Sequence, residues 1–174
     1  MKAKVSLEAI KALREKTSAS VSDVRSALES AGGDETKAFA LLRQRGLQLA
    51  ETRQGRATGQ GRIEAYVHHN GLLGALVEVN CETDFVARTT EFVQFCRDVA
   101  MQVAAMSPRY IDPDEVPDAE RTGQDAKDTC LLEQACLKDP QTTMRDLLKA
   151  LIAKTGENVV IRRFIKFSVG AHAS

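Results

Sequence analysis

Two carboxylates and an aromatic side chain stand close together in the stretch EVNCETDFVART, residues 78–89. The apolar alternation before it predicts a β-strand, so Glu82, Asp84 and Phe85 come directly after the end of that strand. Carboxylates at this spacing can attract a cation, but two of them are too few ligands to hold one. The sequence therefore predicts no metal site here, and the acid beside the ring must have a role other than binding a metal ion.

The remaining candidates for covalent chemistry are weak. The four cysteines (Cys81, Cys96, Cys130 and Cys136) form no CxxC pair, and no Cys/His cluster has zinc spacing. Cys81 lies near Glu82 and Asp84, whose negative charge raises a thiol pKa, the wrong direction for a nucleophile. The segment GQGR lacks the Lys-Ser/Thr of a phosphate-binding loop. We therefore expect buried free thiols, no enzyme and no cofactor.

The pair Asp84 and Phe85 admits two interpretations. In the first, Thr83 or Asp84 caps the next helix and Phe85 folds back into the core; composition alone favours this, because Phe is usually buried. In the second, the loop presents Phe85 to a partner's pocket, and Asp84 beside it disturbs a charged site there. Aromatic anchors supply much of the binding energy at protein interfaces.

The composition fits a folded chain without a strong overall charge. Of 174 residues, 43% are hydrophobic, and 24 basic side chains balance 24 acidic ones. This balance argues against a surface that follows nucleic acid over its whole length. No apolar run is long enough to span a bilayer, and the N-terminus MKAKVSLEAI has no apolar secretory core. We expect a cytoplasmic protein without a membrane partner.

The first part of the chain predicts a small helical module. Residues 6–46 read as three short helices, with Ser20 and Asp23 as a capping box, Asp34 as a cap and Gly46 as the end of the third. Residues 51–62 are rich in Gly and Arg and predict a linker. We therefore expect a module at 1–50 and a linker at 51–62. The apolar positions expected to share helix faces are Leu7, Ile10 and Leu13 in the first helix, Val21, Val24 and Leu28 in the second, and Phe39 and Leu42 in the third.

The rest of the chain, 63–174, predicts a sheet with helices on one face. A period of two begins at Ile63, Asn70-Gly71 is typical of a type I′ hairpin, and a third strand closes the chain. Helices are expected from Phe92, from about Ala126 to Leu137, and from Thr143 to Thr155. Three antiparallel strands covered by helices make an α+β fold. The third strand is expected to place Val159, Ile161, Ile165, Phe167 and Val169 on one face.

Three blocks of the sequence resemble the elongation factor Ts family. VNCETDFVART is similar to that family's signature, V-N-C-x-T-D-F-V-A. IKALREKTSASVSDVRSALESAGGDETKAFALLR resembles its N-terminal module, a three-helix bundle like those that bind ubiquitin, and LLEQACLKDPQTTMRDLLKALIAKTGENVVIRRF resembles its later core region. The match extends over nearly the whole chain.

The resemblance implies a guanine-nucleotide exchange factor whose partner is the GTPase elongation factor Tu. Asp84 and Phe85 would enter the GTPase near its bound Mg²⁺ and shift the phosphate-binding loop, so that GDP leaves. Cys81 and Thr83 would shape the loop, and Thr83 and Val86 would join Asp84 and Phe85 at the contact with the GTPase. The other contact positions that the resemblance implies are Arg14, Val21 and Ser22 in the N-terminal module, and Thr155 and Gly156 in a turn of the core.

The length of the core suggests a homodimer. Long members of the family carry two similar core halves, whereas this sequence holds a single strand–helix–strand unit. A lone three-stranded sheet leaves its apolar face in contact with water and the backbone hydrogen-bonding groups of its open edge without partners in the sheet. We therefore expect 63–174 to be a dimerisation domain that pairs two chains symmetrically.

One alternative function is a nucleic-acid or ribosome-binding adaptor. It would use the helical module as the reader and the Arg-rich linker for phosphate contacts. The zero net charge and the lack of aromatic residues among those arginines weigh against it, because single-stranded nucleic acid is bound by stacking as well as by charge. We therefore expect no direct binding of nucleic acid.

Overall fold

The computed structural model describes residues 5–17, 19–121 and 126–171, with Leu47 and Ala50 described at the backbone only. Contacts within the chain divide it into two compact units. The first comprises Met1–Gly55 with Lys149–Asn158, and the second comprises Arg56–Leu148 with Val159–Ser174. Helices and a three-stranded antiparallel sheet make up the fold, so the predicted α+β class is confirmed.

Three helices begin the first unit: α1 (Leu7–Thr17), α2 (Val21–Ser30) and α3 (Glu35–Arg53). The Ser20 hydroxyl accepts a hydrogen bond from the Asp23 amide at 3.1 Å, and the Asp34 carboxylate accepts one from the Lys37 amide at 3.0 Å, so both predicted caps are confirmed. The side chains of one buried cluster hold the three helices together: Ile10, Leu13, Val24, Ala27, Leu28, Ala38 and Leu42.

Two expectations for this region are wrong. Phe39 does not pack inward, and it is exposed together with Leu7 and Val21, the first apolar positions of α1 and α2. Gly46 does not end α3, which continues to Arg53. A glycine inside a helix costs only about 1 kcal/mol, and an added Cβ at Gly46 would lie 3.1 Å from the Ala153 Cβ. Close packing explains why glycine occupies this position without stopping the helix.

The second unit contains the sheet, formed by β1 (Gln60–Val67), β2 (Leu73–Cys81) and β3 (Val159–Ser168) in the order β1-β2-β3. Both neighbouring pairs are antiparallel. Between β2 and β3 the chain forms α4 (Asp84–Ala87), α5 (Thr90–Met106), α6 (Ala126–Thr129) and α7 (Met144–Thr155), whose last seven residues belong to the first unit. Helix α5 lies against one face of the sheet, the inner face.

The inner face and α5 form the core of this unit. On β2 the inward side chains are Ala75, Val77, Val79 and Cys81, all buried. On α5 they are Phe92, Cys96, Val99 and Val103, also buried, whereas Met106 at the end of the helix is exposed. Burying a side chain of this size contributes about 1.5–3 kcal/mol, so this layer is the main source of stability for the sheet.

A β-bulge changes which side chains of β3 face the core. Val79 pairs with Ile161 but its neighbour Glu78 pairs with Arg163, so Arg162 is an extra residue on β3. Because side chains alternate along a strand, the extra residue reverses the faces beyond it. The prediction of a single apolar face along β3 is therefore wrong: Val159 and Ile161 are buried, whereas the later apolar residues Ile165, Phe167 and Val169 are exposed.

The hairpin between β1 and β2 is confirmed, but its turn differs from the predicted type. Five residues, 68–72, connect the strands, and the His68 amide donates to the Leu73 carbonyl at 2.8 Å. Gly71 has a φ of 70°, whereas Asn70 is not among the residues with positive φ. A two-residue type I′ turn requires positive φ at both central positions, so this loop is a longer one.

The described parts of the connector between α5 and α7, residues 107–121 and 126–143, are largely irregular. The single helix expected over Ala126–Leu137 is wrong: α6 ends at Thr129, a 3₁₀ turn follows at Leu131–Glu133, and extended chain comes after it. The side chain of Gln102, buried on α5, secures this extended chain. Its amide nitrogen donates to the Gln134 side chain at 3.2 Å and to the Ala135 carbonyl at 3.0 Å, and its oxygen accepts from the Leu137 amide at 3.1 Å.

We predict that Gln102→Leu lowers the free energy of unfolding by about 1–3 kcal/mol, because three polar groups of the connector lose their partner. Urea denaturation followed by circular dichroism measures this. Gln94→Leu is the matched control, since Gln94 lies exposed on the same helix, and it should change the value by less than about 0.5 kcal/mol. Equal unfolding midpoints for the two variants would contradict the role given to Gln102.

Both ends of α7 agree with the sequence. The Thr143 hydroxyl accepts from the Asp146 amide at 3.1 Å, and the Asp146 carboxylate accepts in return from the Thr143 amide at 3.4 Å, so the two residues form a capping box at the start of the helix. At the other end Gly156 has a φ of 72° and its amide donates to the Ile152 carbonyl at 2.8 Å. Glycine adopts this left-handed conformation without strain, so the helix ends there.

Candidate functional site

The stretch TDFV forms a tight turn between β2 and α5. Thr83 has extended backbone angles, and its hydroxyl accepts from the Val86 amide at 3.4 Å, so it caps the one-turn helix α4. One turn later the Thr89 hydroxyl donates to the Val86 carbonyl at 2.8 Å and caps α5 by accepting from the Phe92 amide at 3.3 Å. The turn is therefore defined at both ends by threonine side chains.

The side chains of this turn divide into a buried side and an exposed side. Val86 and Ala87 are buried, which anchors α4 on the core, whereas Phe85 on the opposite side is 81% exposed. The interpretation in which Phe85 folds back into the core is therefore wrong, although its assignment of Thr83 as the cap is confirmed. An aromatic ring with this exposure at the end of a rigid element is available to another molecule.

Ion pairs surround the same turn. The Asp84 carboxylate lies 2.9 Å from the Arg88 guanidinium, one helical turn further along. At the base of the loop the Glu82 carboxylate lies 3.5 Å from the Arg56 guanidinium. The exposed ring of Phe85 is therefore flanked by an acid whose charge is already paired within the chain.

The three N-terminal positions lie at the connection of α1 to α2. The Arg14 guanidinium donates to the Ala19 carbonyl at 3.4 Å, and the hydroxyls of Ser20 and Ser22 lie 2.8 Å apart. Arg14, Val21 and Ser22 all have exposed side chains. The structure thus brings these three positions to one exposed corner of the first unit.

Thr155 and Gly156 form the turn after α7, also within the first unit. The Thr155 hydroxyl donates to the Leu151 carbonyl at 2.9 Å and accepts from the Glu157 amide at 3.4 Å. Both residues are partly exposed. The turn is therefore rigid and accessible, whereas Asp84 and Phe85 belong to the second unit.

The described residues offer little for covalent or metal chemistry. Across 5–17, 19–121 and 126–171, no three His, Cys, Asp or Glu side chains are placed to hold a metal ion. Cys81, Cys96, Cys130 and Cys136 are free and buried, as expected. Burial raises the pKa of the Cys96 thiol to about 12, with a further rise from the Glu64 carboxylate, and burial raises the pKa of the Cys136 thiol to about 11. None of the described helices is both long and apolar enough to cross a bilayer.

We predict that the Cys96 and Cys136 thiols of the native protein resist alkylation at pH 8. Because only the thiolate reacts and burial holds the pKa values of Cys96 and Cys136 at about 12 and 11, native protein should react with iodoacetamide at least about 100-fold more slowly than unfolded protein. Mass spectrometry of timed samples counts the modified cysteines, and protein in 6 M guanidinium is the control. Rapid labelling of Cys96 in the native state would contradict this placement.

Two features of the structure were not found from the sequence. The first is Arg88, whose position four residues after Asp84 is the spacing at which helix side chains pair. The second is an outer face on the sheet, formed by Ile63, Ala65, Val67, Leu76, Ile165 and Phe167, which point away from α5 and are exposed. The Arg162–Arg163 pair was a signal for this outer face, since an unbroken alternation would bury Arg163 beside Ile161.

Comparisons with known proteins agree on one family. The family model described as Elongation factor TS matches residues 4–125. Elongation factor Ts of Thermoanaerobacter sp. (strain X514) is 42% identical over 194 residues, covering 95% of each chain. The protein of the same name from Caldanaerobacter subterraneus is 43% identical, covering 95% of this chain and 97% of its own, and that from Rubrobacter xylanophilus is 43% identical, covering 94% and 98%. The chain belongs to the elongation factor Ts family.

Proposed function

We propose that this chain is a guanine-nucleotide exchange factor for the translational GTPase elongation factor Tu, which it causes to release GDP. Family membership supports the role in translation elongation. The observation that carries the mechanism is the 81% exposure of Phe85 on a turn whose other face is buried. Exchange needs no covalent step, so the chain would act without being an enzyme and without a cofactor of its own.

The exchange step follows from the chemistry of Phe85 and Asp84. Burying the Phe85 ring in the GTPase supplies about 1.5–3 kcal/mol, and it drives the turn into the partner. Asp84 then brings negative charge to the Mg²⁺ and phosphate site, where the metal screens the phosphates. Weakening that screening weakens GDP binding. The coupling is reciprocal, so a high concentration of nucleotide must also release the exchange factor.

The remaining site residues would dock the partner. Thr83 and Val86 hold the turn in shape through the cap and the buried anchor described above. Arg14, Val21 and Ser22 on the ubiquitin-binding-like N-terminal module, and Thr155 with Gly156 in the core turn, are proposed to contact the GTPase. Contacts of this kind set the affinity and leave the release of nucleotide to Asp84 and Phe85.

We further propose that the region 63–174 dimerises through the outer face of the sheet. The outer face is flanked by Leu72 and Val169, and exposure of its large apolar side chains runs from 41% for Leu76 to 73% for Val169. Apolar patches of this extent mark protein interfaces. No helix of the second unit's described residues covers the outer face, since α5 occupies the inner one.

A second copy of the chain is the occupant that fits the outer face. The pairs Ala65–Leu76 and Leu76–Ile165 place apolar side chains side by side across all three strands. A surface of this kind is complementary to itself, as a two-fold interface requires, and two such sheets can pack face to face. Between Leu76 and Phe167, Gly74 leaves a depression of about 290 Å³ that a side chain of the facing sheet can enter.

The direct test of the exchange function is the release of fluorescent GDP from elongation factor Tu. Added chain should accelerate release at least about tenfold, with a rate that saturates as its concentration rises. An unchanged release rate would refute the proposal. RNA binding that weakens steeply with salt, in the absence of accelerated release, would favour the adaptor function instead. Acting on this GTPase would place the chain in the cytoplasm.

A further inference from the structure

We infer that Arg88 is a positioning residue for nucleotide exchange, because its guanidinium holds the Asp84 carboxylate beside Phe85 in the orientation that enters the GTPase. This inference rests on the proposed function. The distance between the two charged groups is 2.9 Å, and the acid precedes the base by four residues. That order is the more favourable one for a pair on a helix.

The pair joins the two ends of α4. Asp84 is the first residue of this four-residue helix and Arg88 is its C-terminal cap. A single turn is marginal by itself, because nucleation fixes several residues for few hydrogen bonds. A side-chain bridge from one end to the other therefore restricts Asp84 and also steadies the backbone that carries Phe85.

Orientation matters because Asp84 would otherwise be mobile. Its side chain is 47% exposed, and a free surface carboxylate loses rotamer freedom when it enters an interface. A carboxylate already held by Arg88 has lost part of that freedom before the partner arrives. The contact with Arg88 is made through Oδ2 of Asp84, so the guanidinium fixes the orientation of the carboxylate while its other oxygen, Oδ1, can face the Mg²⁺ and phosphate site.

Removing the Arg88 side chain leaves the backbone of the turn intact. At the end of α4 the Arg88 amide donates to the Phe85 carbonyl at 3.3 Å, and the next amide, that of Thr89, donates to the Val86 carbonyl at 3.0 Å. Arg88→Ala keeps both, and the side chain it removes is 79% exposed. The variant is therefore expected to fold, and Arg88→Lys, which retains a positive charge within reach of Asp84, serves as the conservative variant.

The test is a double-mutant cycle on the release of fluorescent GDP from elongation factor Tu. Arg88→Ala should lower the maximal release rate about two- to tenfold, with little change in the half-saturating concentration, and Arg88→Lys should recover part of it. In an Asp84→Ala background the same substitution should have almost no effect. Arg121→Ala, which breaks a surface pair with Asp118, is the matched control and should leave the rate unchanged.

Each outcome of the cycle decides the inference. An equal loss in both backgrounds would mean that Arg88 acts on the partner directly, and no loss or a faster rate would mean that it does not position Asp84. Amide hydrogen exchange in α4 of the free protein provides a readout that does not depend on the GTPase. Arg88→Ala should speed amide hydrogen exchange in α4 about two- to threefold. Unchanged amide hydrogen exchange in α4 overturns the inference even if the wild-type chain releases GDP. A wild-type chain that fails to release GDP overturns the proposed function and with it the role of Arg88 in nucleotide exchange, whatever the amide exchange shows.

Discussion

Phe85→Ala is expected to lower the efficiency of GDP release from elongation factor Tu by about 10–100-fold. The ring is 81% exposed in the free chain, so its binding energy is available for the partner. Truncating an aromatic anchor typically costs about 2 kcal/mol or more, and about 1.4 kcal/mol corresponds to a factor of ten. The concentration dependence of the release rate, measured by stopped-flow fluorescence, gives this efficiency directly.

The same exposure makes Phe85→Ala easy to interpret. Because the ring makes little contact with its own chain, the thermal unfolding midpoint should stay within about 2 °C of the wild type. Leu137→Ala, which removes an exposed apolar side chain from the connector, is the matched control and should not change release. Wild-type efficiency in Phe85→Ala would show that the turn does not enter the GTPase.

The position of Phe85 shows what local patterns can predict. Thr83 as a cap followed from its type and its place before the turn, and the structure has that cap. Whether Phe85 is buried could not follow from this, because a one-turn helix has room for an inward and an outward side chain. Val86 and Ala87 take the inward positions, and the choice between them and Phe85 is made by contacts with the core.

The sheet illustrates a second limit on what can be predicted from local sequence patterns. Alternation along β1 and β2 predicted the strands and their pairing, but it did not say which side of β1 meets the helix. Glu64 and Tyr66 face inward, and the Glu64 carboxylate lies 3.6 Å from the Arg97 guanidinium of α5, while Ile63 and Val67 face outward. An apolar side chain on a strand therefore indicates that its face of the sheet is packed against something, but this can be another molecule instead of a helix of the same chain.

Leu76→Asp should convert a dimer into a monomer, with dimerisation weakened at least about 100-fold. Leu76 lies on the central strand, between Ala65 of β1 and Ile165 of β3. In a two-fold interface each substitution appears twice, so two unpaired carboxylates would be buried among apolar side chains, at a cost of several kcal/mol. Analytical ultracentrifugation at micromolar concentration distinguishes the two states by mass.

The controls for this experiment follow from the exposure of the residues involved. Leu76 is already 41% exposed in the single chain, so an aspartate there is compatible with the fold, and Val67→Asp offers a second variant at a still more exposed position on the outer face. Leu137→Asp, which lies outside the sheet, should remain dimeric. A wild-type chain that sediments as a monomer would remove the homodimer from the proposal. A folded Leu76→Asp dimer would instead place the interface on another surface. A dimer that buried the outer face could not form with unpaired carboxylates at the centre of that face.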